Sequence, residues 1–137
     1  MRTLLLHAIA AGLFPLLLTA CATPVVNASA PRTIADDGSF ALAFGERVQL
    51  AGRGTLRYVR VANDSRCPPD VRCVWAGDAE VEFEWVDASG KAESFTLHTG
   101  RGDRSRSLDG RALTLESLAR GTEPSAQMRI AATAPAP

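Results

Sequence analysis

A strict alternation of apolar and acidic residues marks one segment of the chain, Asp78-Ala79-Glu80-Val81-Glu82-Phe83-Glu84-Trp85-Val86. Successive side chains of a β-strand point to opposite faces, so Val81, Phe83 and Trp85 share one face and the three glutamates share the other. The spacing predicts a strand with one buried face and one charged face. We expect the charged face to be solvated, or paired with arginines of the next strand, rather than to hold a catalytic pair of carboxylates.

The same period of two extends to both sides of this segment. Residues 87–91 have the composition of a turn, so residues 93–98 are expected to pair back as a hairpin. Further strands are predicted at 40–44, 48–50, 56–61, 113–115 and 128–130, with Phe40, Leu42 and Phe44 on one buried face. Residues 115–120 have a short helical turn as the alternative to a strand. The predicted fold class is all-β, a single antiparallel β-sandwich or small β-barrel with less than about a tenth of its residues in helices.

The first twenty residues have a different composition. Arg2 precedes an apolar stretch from Leu4 to Leu18, which has about the length of a signal-sequence core and is shorter than the ~20 residues of a membrane-spanning helix. Residues 1–20 are therefore predicted to be an export signal that the mature protein lacks. The remaining chain is long enough for one domain and too short for two.

The signal ends in Leu18-Thr19-Ala20-Cys21, which resembles the lipobox of bacterial lipoproteins. The resemblance implies a diacylglyceryl group on Cys21, cleavage before it, and usually a further acyl chain such as palmitate on the new amine. Two or more acyl chains hold a protein stably on a bilayer. Because Ala22 is not acidic, the resemblance also implies the outer membrane of the cell envelope, facing the periplasm. The alternative is an ordinary secretory signal that is cleaved at the same small residues.

Composition sets the boundaries of the mature chain and the classes of partner. Residues 21–37 are predicted to be the lipidated Cys and a flexible tether, residues 38–133 the β-domain, and residues 134–137 a disordered tail. Removal of Arg2 leaves fourteen basic residues against fifteen acidic ones. Without a basic patch, no nucleic-acid partner is expected. The expected partners are the membrane, through the lipid, and another envelope protein.

Residues 63–78 lack the strand pattern and contain the other two cysteines, Cys67 and Cys73. With Cys21 assigned to lipid by its resemblance to the lipobox, these two form the remaining pair in an oxidising compartment. We therefore expect a disulfide, which adds one short closed loop to the predicted β-fold. A ring this small should contribute roughly 2 kcal/mol through chain entropy, so its effect is expected to be local.

The same segment carries a second resemblance. Asp64-Ser65-Arg66-Cys67-Pro68, followed by Cys73-Val74-Trp75-Ala76-Gly77, is similar to a signature of small bacterial secreted proteins and lipoproteins. The resemblance implies a relative in fold, and it brings no activity and no site residues with it.

Two hypotheses fit this segment. In the first, the disulfide, the prolines and Trp75 brace a long connection between strands. The side chains of Asp64 and Arg66 then form hydrogen bonds with backbone groups or with each other. In the second, a rigid loop presents a recognition surface, because function concentrates on loops that a scaffold holds in place. The candidate binding residues are Asp64, Arg66, Asp70, Arg72 and Trp75.

Other chemistry has weaker support in the sequence. Without the signal His98 is the remaining histidine, and Asp64, Asp70 and Asp78 are too dispersed for a calcium loop, so no metal is expected. The cysteines do not form a redox Cys-x-x-Cys pair. A Ser or Cys nucleophile needs a base within hydrogen-bond reach, and His98, alone inside a predicted strand, is more often a cross-strand partner than such a base. Arg101-Gly102-Asp103 resembles an adhesive tripeptide but has turn composition.

These observations predict a protein without catalytic residues or cofactor. We expect a lipid-anchored envelope β-domain that acts as a non-enzymatic binding module. The alternative is an envelope inhibitor of a protease or lysozyme.

Overall fold

The computed structural model describes residues 30–132. The predicted signal, Cys21, the first part of the predicted tether and the tail lie outside the described residues. Between residues 30 and 132 no helix is long and apolar enough to span a membrane. This part of the chain forms nine strands: β1 Arg32–Ile34, β2 Gly38–Leu42, β3 Arg47–Leu50, β4 Gly54–Asp64, β5 Ala79–Asp87, β6 Ala92–His98, β7 Ser105–Leu108, β8 Arg111–Leu118 and β9 Ala126–Ala132.

The strands form two sheets that pack face to face as a sandwich. One sheet has the order β1-β3-β4-β5-β6 and the other has the order β2-β9-β8-β7. Neighbouring strands are antiparallel, except that β1 lies parallel to β3. The all-β prediction is confirmed, and two separate sheets make the fold a sandwich rather than a barrel.

Burial along β5 follows the alternation in its sequence. Val81, Phe83 and Trp85 are buried between the sheets, and the glutamates between them lie at the half-buried outer face. Glu82 forms an ion pair of 2.7 Å with Arg60 of β4. Side chains from both sheets complete the core, and those with no exposed surface include Leu42, Val48, Leu56, Tyr58, Leu113, Leu115 and Met128.

Phe44 does not share the buried face of Phe40 and Leu42, so this part of the prediction is wrong. β2 ends at Leu42, and Ala43 to Glu46 form a turn in which the Glu46 amide donates to the Ala43 carbonyl at 3.0 Å. The turn breaks the period of two and leaves Phe44 39% exposed. Its ring still meets the edge of the Tyr58 ring, with the centroids 5.5 Å apart.

The first strand begins at Arg32, six residues before the predicted domain boundary at residue 38. Arg32 pairs with Glu46 at 3.0 Å and donates to the Ala41 carbonyl at 2.7 Å. At the other end of this segment, Asp36 accepts a 2.7 Å hydrogen bond from Arg111. Three residues are too few to show a period, and these long-range contacts fix β1 instead. Residues 115–118 belong to β8, which excludes the helical alternative there.

The strand directions define two ends of the sandwich. The disulfide end carries the β2–β3, β4–β5, β6–β7 and β8–β9 connections, and the chain also arrives at β1 from this end. The opposite end carries the remaining connections and the departure of the chain after β9. Residues 87–91 form the predicted turn at the opposite end, with Gly90 at φ +87°.

Candidate functional site

The long β4–β5 connection, residues 65–78, continues the hairpin of these two strands, and we call it the disulfide loop. The Ser65 amide donates to the Asp78 carbonyl at 2.7 Å, and the Cys67 amide donates to the Ala76 carbonyl at 3.1 Å. The Ser65 hydroxyl also accepts a 3.1 Å bond from the Asp78 amide. The loop is therefore a folded extension of the sheet rather than a free connection.

Cys67 and Cys73 form the predicted disulfide, with their Cα atoms 5.8 Å apart. Inside the ring, the Val71 amide donates to the Pro68 carbonyl at 3.2 Å. At the base, Gly77 has φ +70°, and an added Cβ would lie 1.9 Å from the Ser65 carbonyl oxygen. The two sides of the loop approach closely here, and this approach requires glycine.

Arg66 fastens the disulfide loop to the second sheet. Its guanidinium donates to both carboxylate oxygens of Asp64, at 2.8 and 2.6 Å, and to the carbonyls of Leu118 and Ala119, at 2.5 and 2.9 Å. These bonds hold the pKa of Asp64 below its usual range. Arg120 adds a 2.5 Å bond to the Cys67 carbonyl. Asp64 and Arg66 therefore brace the loop against the second sheet.

The other candidate residues lie at the surface. Asp70 and Arg72 are exposed, and Trp75 is 70% exposed instead of packing against the disulfide ring. The Arg101 guanidinium of the β6–β7 turn lies 5.6 Å from the centroid of the Trp75 ring, a cation–π distance. The structure thus brings Trp75 together with a residue of a segment that has turn composition.

Val71 and Val74 are also exposed, at 55% and 90%, and sequence reasoning missed them. The signal that was available is their position: Val71 lies in a ring too small to bury its own side chains, and Val74 follows that ring directly. Together with Trp75 they form the apolar patch of the disulfide loop. An open concavity of about 610 Å³ lies beside the patch, between Val74, Trp75, Asp78 and Arg101.

Asp78 and His98 form a second cluster that was not predicted. The strand register brings His98 beside Glu80, and its Nδ1 lies 2.6 Å from Oδ2 of Asp78. Partial burial raises the pKa of Asp78, but hydrogen bonds from His98, Gly100 and Thr99 outweigh it and lower the value to about 2. The carboxylate is ionised and can only accept, so Nδ1 carries the proton.

This cluster closes the β6–β7 turn. An added Cβ on Gly102 would lie 2.7 Å from the imidazole of His98, so the ring packs on the backbone of the turn. Within residues 30–132, no hydroxyl or thiol forms a hydrogen bond with the second ring nitrogen. The same part of the chain contains no group of three or more His, Cys, Asp or Glu side chains placed to hold a metal ion.

The large apolar side chains that the described part of the chain exposes all lie at one end of the sandwich. Phe44 is in the β2–β3 turn, and Val71, Val74 and Trp75 are in the disulfide loop. Both connections belong to the disulfide end.

Comparison of the chain with protein-family models, with curated proteins and with solved structures finds no match. The functional proposal therefore rests on the chemistry of this end.

Proposed function

We propose that the protein is a lipid-anchored module of the cell envelope that binds its ligand through the disulfide loop and acts without catalysis. The observation that carries the proposal is the exposure of Val71, Val74 and Trp75 on one braced loop. Scattered surface hydrophobics are ordinary, whereas a cluster of them marks an interaction site.

The rigidity of the loop supports a binding role. The disulfide, the backbone bonds between Ser65 and Asp78, and the four bonds of Arg66 hold the loop in one conformation before any ligand arrives. A preorganised loop loses little conformational entropy on binding, so more of its contact energy appears as affinity.

The arrangement of side chains also supports it. Trp75, with Arg101 against its ring, lines one concavity with Val74, and Asp70 and Arg72 are exposed on the same loop. An apolar centre with a polar rim is the usual anatomy of a protein interface, in which tryptophan and arginine are enriched. We propose binding rather than catalysis because this surface is mainly apolar and because the nearby Asp78–His98 pair closes a turn.

The envelope part of the proposal comes from the sequence before residue 30. Arg2, the apolar stretch to Leu18 and the lipobox ending at Cys21 support export and a lipid anchor. These features support a location at a membrane of the envelope, and we propose the outer membrane on its periplasmic side.

Photo-crosslinking of the full-length protein in living cells tests this proposal. A photoreactive residue at Val74 is expected to give a defined adduct with a protein or a lipid, and the Trp75→Ser change should remove that adduct. Ala88, exposed in the turn at the opposite end, is the matched control position and should give none.

Equal labelling at both positions, or no adduct at Val74, would contradict the proposal. An adduct between Val74 and a protease or lysozyme would instead identify the protein as an inhibitor of that hydrolase.

A further inference from the structure

We infer that the ligand of the disulfide loop is a phospholipid membrane surface, the one in which the anchor of the same chain is inserted. This inference rests on the proposed function and names the ligand of its binding surface. It follows from where the chain joins the sandwich and from which side chains lie at that end.

The direction of β1 determines which end faces the anchor. β1 is parallel to β3, and β3 is antiparallel to β4, whose last residue, Asp64, leads into the disulfide loop. The chain therefore approaches Arg32 from the disulfide end and leaves after Ala132 at the opposite end. An anchor upstream of Arg32 draws the disulfide end toward the bilayer.

The length of the preceding chain allows the loop to touch that bilayer. Arg32 is level with Val48 and Leu56 in the sheet, so the loop begins eight residues further along β4, roughly 26 Å away. Cys21 precedes Arg32 by eleven residues, which span at most roughly 36–40 Å when fully extended. Trp75 lies three residues beyond the base of the loop, roughly 10 Å further, so the fully extended span just matches the distance to Trp75 and allows the lipid and the loop to reach one membrane together.

The chemistry of this end suits a membrane interface. Tryptophan is enriched at the level of lipid headgroups, and apolar side chains beside it can enter the boundary of the acyl chains. Phe44, Val71, Val74 and Trp75 supply these groups. Arg101 lies over the Trp75 ring and Arg72 is exposed on the same loop, and both guanidinium groups can meet phosphates.

Electrostatic attraction is not expected to be the main contribution to membrane binding at this end. Arg32 neutralises Glu46, and Arg66 neutralises Asp64, but Asp70 remains exposed on the loop. Apolar contact is therefore expected to dominate, and the docked state should persist as the salt concentration rises.

The two tryptophans of the chain provide a direct test. Trp75 is 70% exposed at the disulfide end, whereas Trp85 is 3% exposed and lies toward the opposite end, near Asp87 and Lys91. The full-length lipidated protein, with lipid on Cys21 verified by mass, is reconstituted into vesicles of phosphatidylethanolamine and phosphatidylglycerol. A second set of vesicles carries bromine on the acyl chains, which quenches tryptophan fluorescence on contact.

We expect brominated vesicles to quench the Trp75 share of the emission, and we expect no quenching in a Trp75→Phe protein that retains Trp85. The Val74→Asp change should abolish the quenching, because it places a charge in the apolar contact. The Ala88→Asp change at the opposite end should retain it. Both positions are exposed, so unchanged circular dichroism verifies the fold.

Absence of quenching in the wild-type protein would overturn the membrane inference, as would the absence of lipid on Cys21. An adduct between Val74 and an envelope protein, without quenching, would overturn this inference and leave the proposed binding function standing. The absence of both adduct and quenching would overturn both.

Discussion

The side chain of Arg66 orders the disulfide loop and also connects the two sheets. Its guanidinium reaches four oxygen atoms, two on the Asp64 carboxylate and one each on the carbonyls of Leu118 and Ala119. The side chain is 13% exposed. It connects the first sheet, through Asp64, with the β8–β9 connection of the second, so its loss should affect stability as well as the loop.

We predict that Arg66→Ala lowers the free energy of unfolding by about 2 to 3 kcal/mol, because Asp64 and two carbonyls lose a charged donor. Urea unfolding measures the change. Arg72→Ala, an exposed arginine of the same loop, is the control and should change stability by less than about 0.5 kcal/mol. Equal effects of the two substitutions would refute the bracing position of Arg66.

Asp78 should make stability depend on pH in the acid range. Its pKa is about 2 in the folded protein, below the ordinary value of 3.8, so its ionised form favours the folded state. This contribution is fully present above about pH 4 and is lost as the pH falls through about 2. With allowance for the screening of a partly exposed group, it amounts to about 1 to 2 kcal/mol.

The prediction is that Asp78→Asn destabilises the protein at pH 6 and that the difference from wild type shrinks toward pH 2. Urea unfolding across this range measures it. Asp70→Asn, on the exposed part of the loop, should stay within about 0.5 kcal/mol of wild type throughout. A difference between Asp78→Asn and wild type that is constant with pH would show that charge at Asp78 is not the cause.

Contacts between residues close in sequence were predictable, whereas contacts made by strand register or loop orientation were not. Asp64 and Arg66 are two residues apart, so their mutual pairing could be expected from the sequence. Asp78 and His98 are twenty residues apart, and the register between β5 and β6 brings them together. The exposure of Trp75 depends on how the closed ring is oriented, which local sequence does not specify.

At the scale of elements, strands that bury one face were predictable, whereas very short or largely exposed strands were not. β5 and β6 show clear alternation because each packs one face on the core. β7 is largely exposed and polar, and β1 has three residues, so neither carries a period. Phe44 was misplaced because the sequence does not mark the end of β2, whereas the turn hydrogen bonds do.

The disulfide belongs to the loop rather than to the core. Closing so short a ring contributes roughly 2 kcal/mol, whereas each large buried side chain, such as Phe83, contributes about 1.5 to 3 kcal/mol before ordering costs. We predict that the Cys67→Ser, Cys73→Ser double variant folds with a lower melting temperature and a loop that exchanges its amide hydrogens faster.

Thermal unfolding and amide exchange test this prediction, with an exposed Ser89→Ala change as the control for ordinary surface substitution. A double variant that is unfolded at room temperature would show that the crosslink supports the whole sandwich. Loop amides that exchange as slowly as in wild type would show that hydrogen bonds alone order the loop.

On the scale of the whole molecule, the proposed anchor at Cys21 lies outside the described residues, and the sandwich that follows has two unlike ends. Cys21→Ser is predicted to prevent lipid attachment and signal cleavage, because the lipobox requires cysteine at that position. Mass analysis of the protein and fractionation of the envelope test it. A Cys21→Ser protein that is still cleaved and still sediments with membranes would contradict the anchoring proposal.

The central claim is that the disulfide end is the surface in contact with the ligand. Hydrogen exchange of the full-length protein in native envelope vesicles tests it most directly, with wild type compared with a Val74→Asp, Trp75→Ser variant. We expect slower exchange in wild type at residues 66–76 and 99–104, and equal exchange at residues 88–91 of the opposite end. Equal exchange of the two proteins throughout, or protection confined to the opposite end, would contradict it.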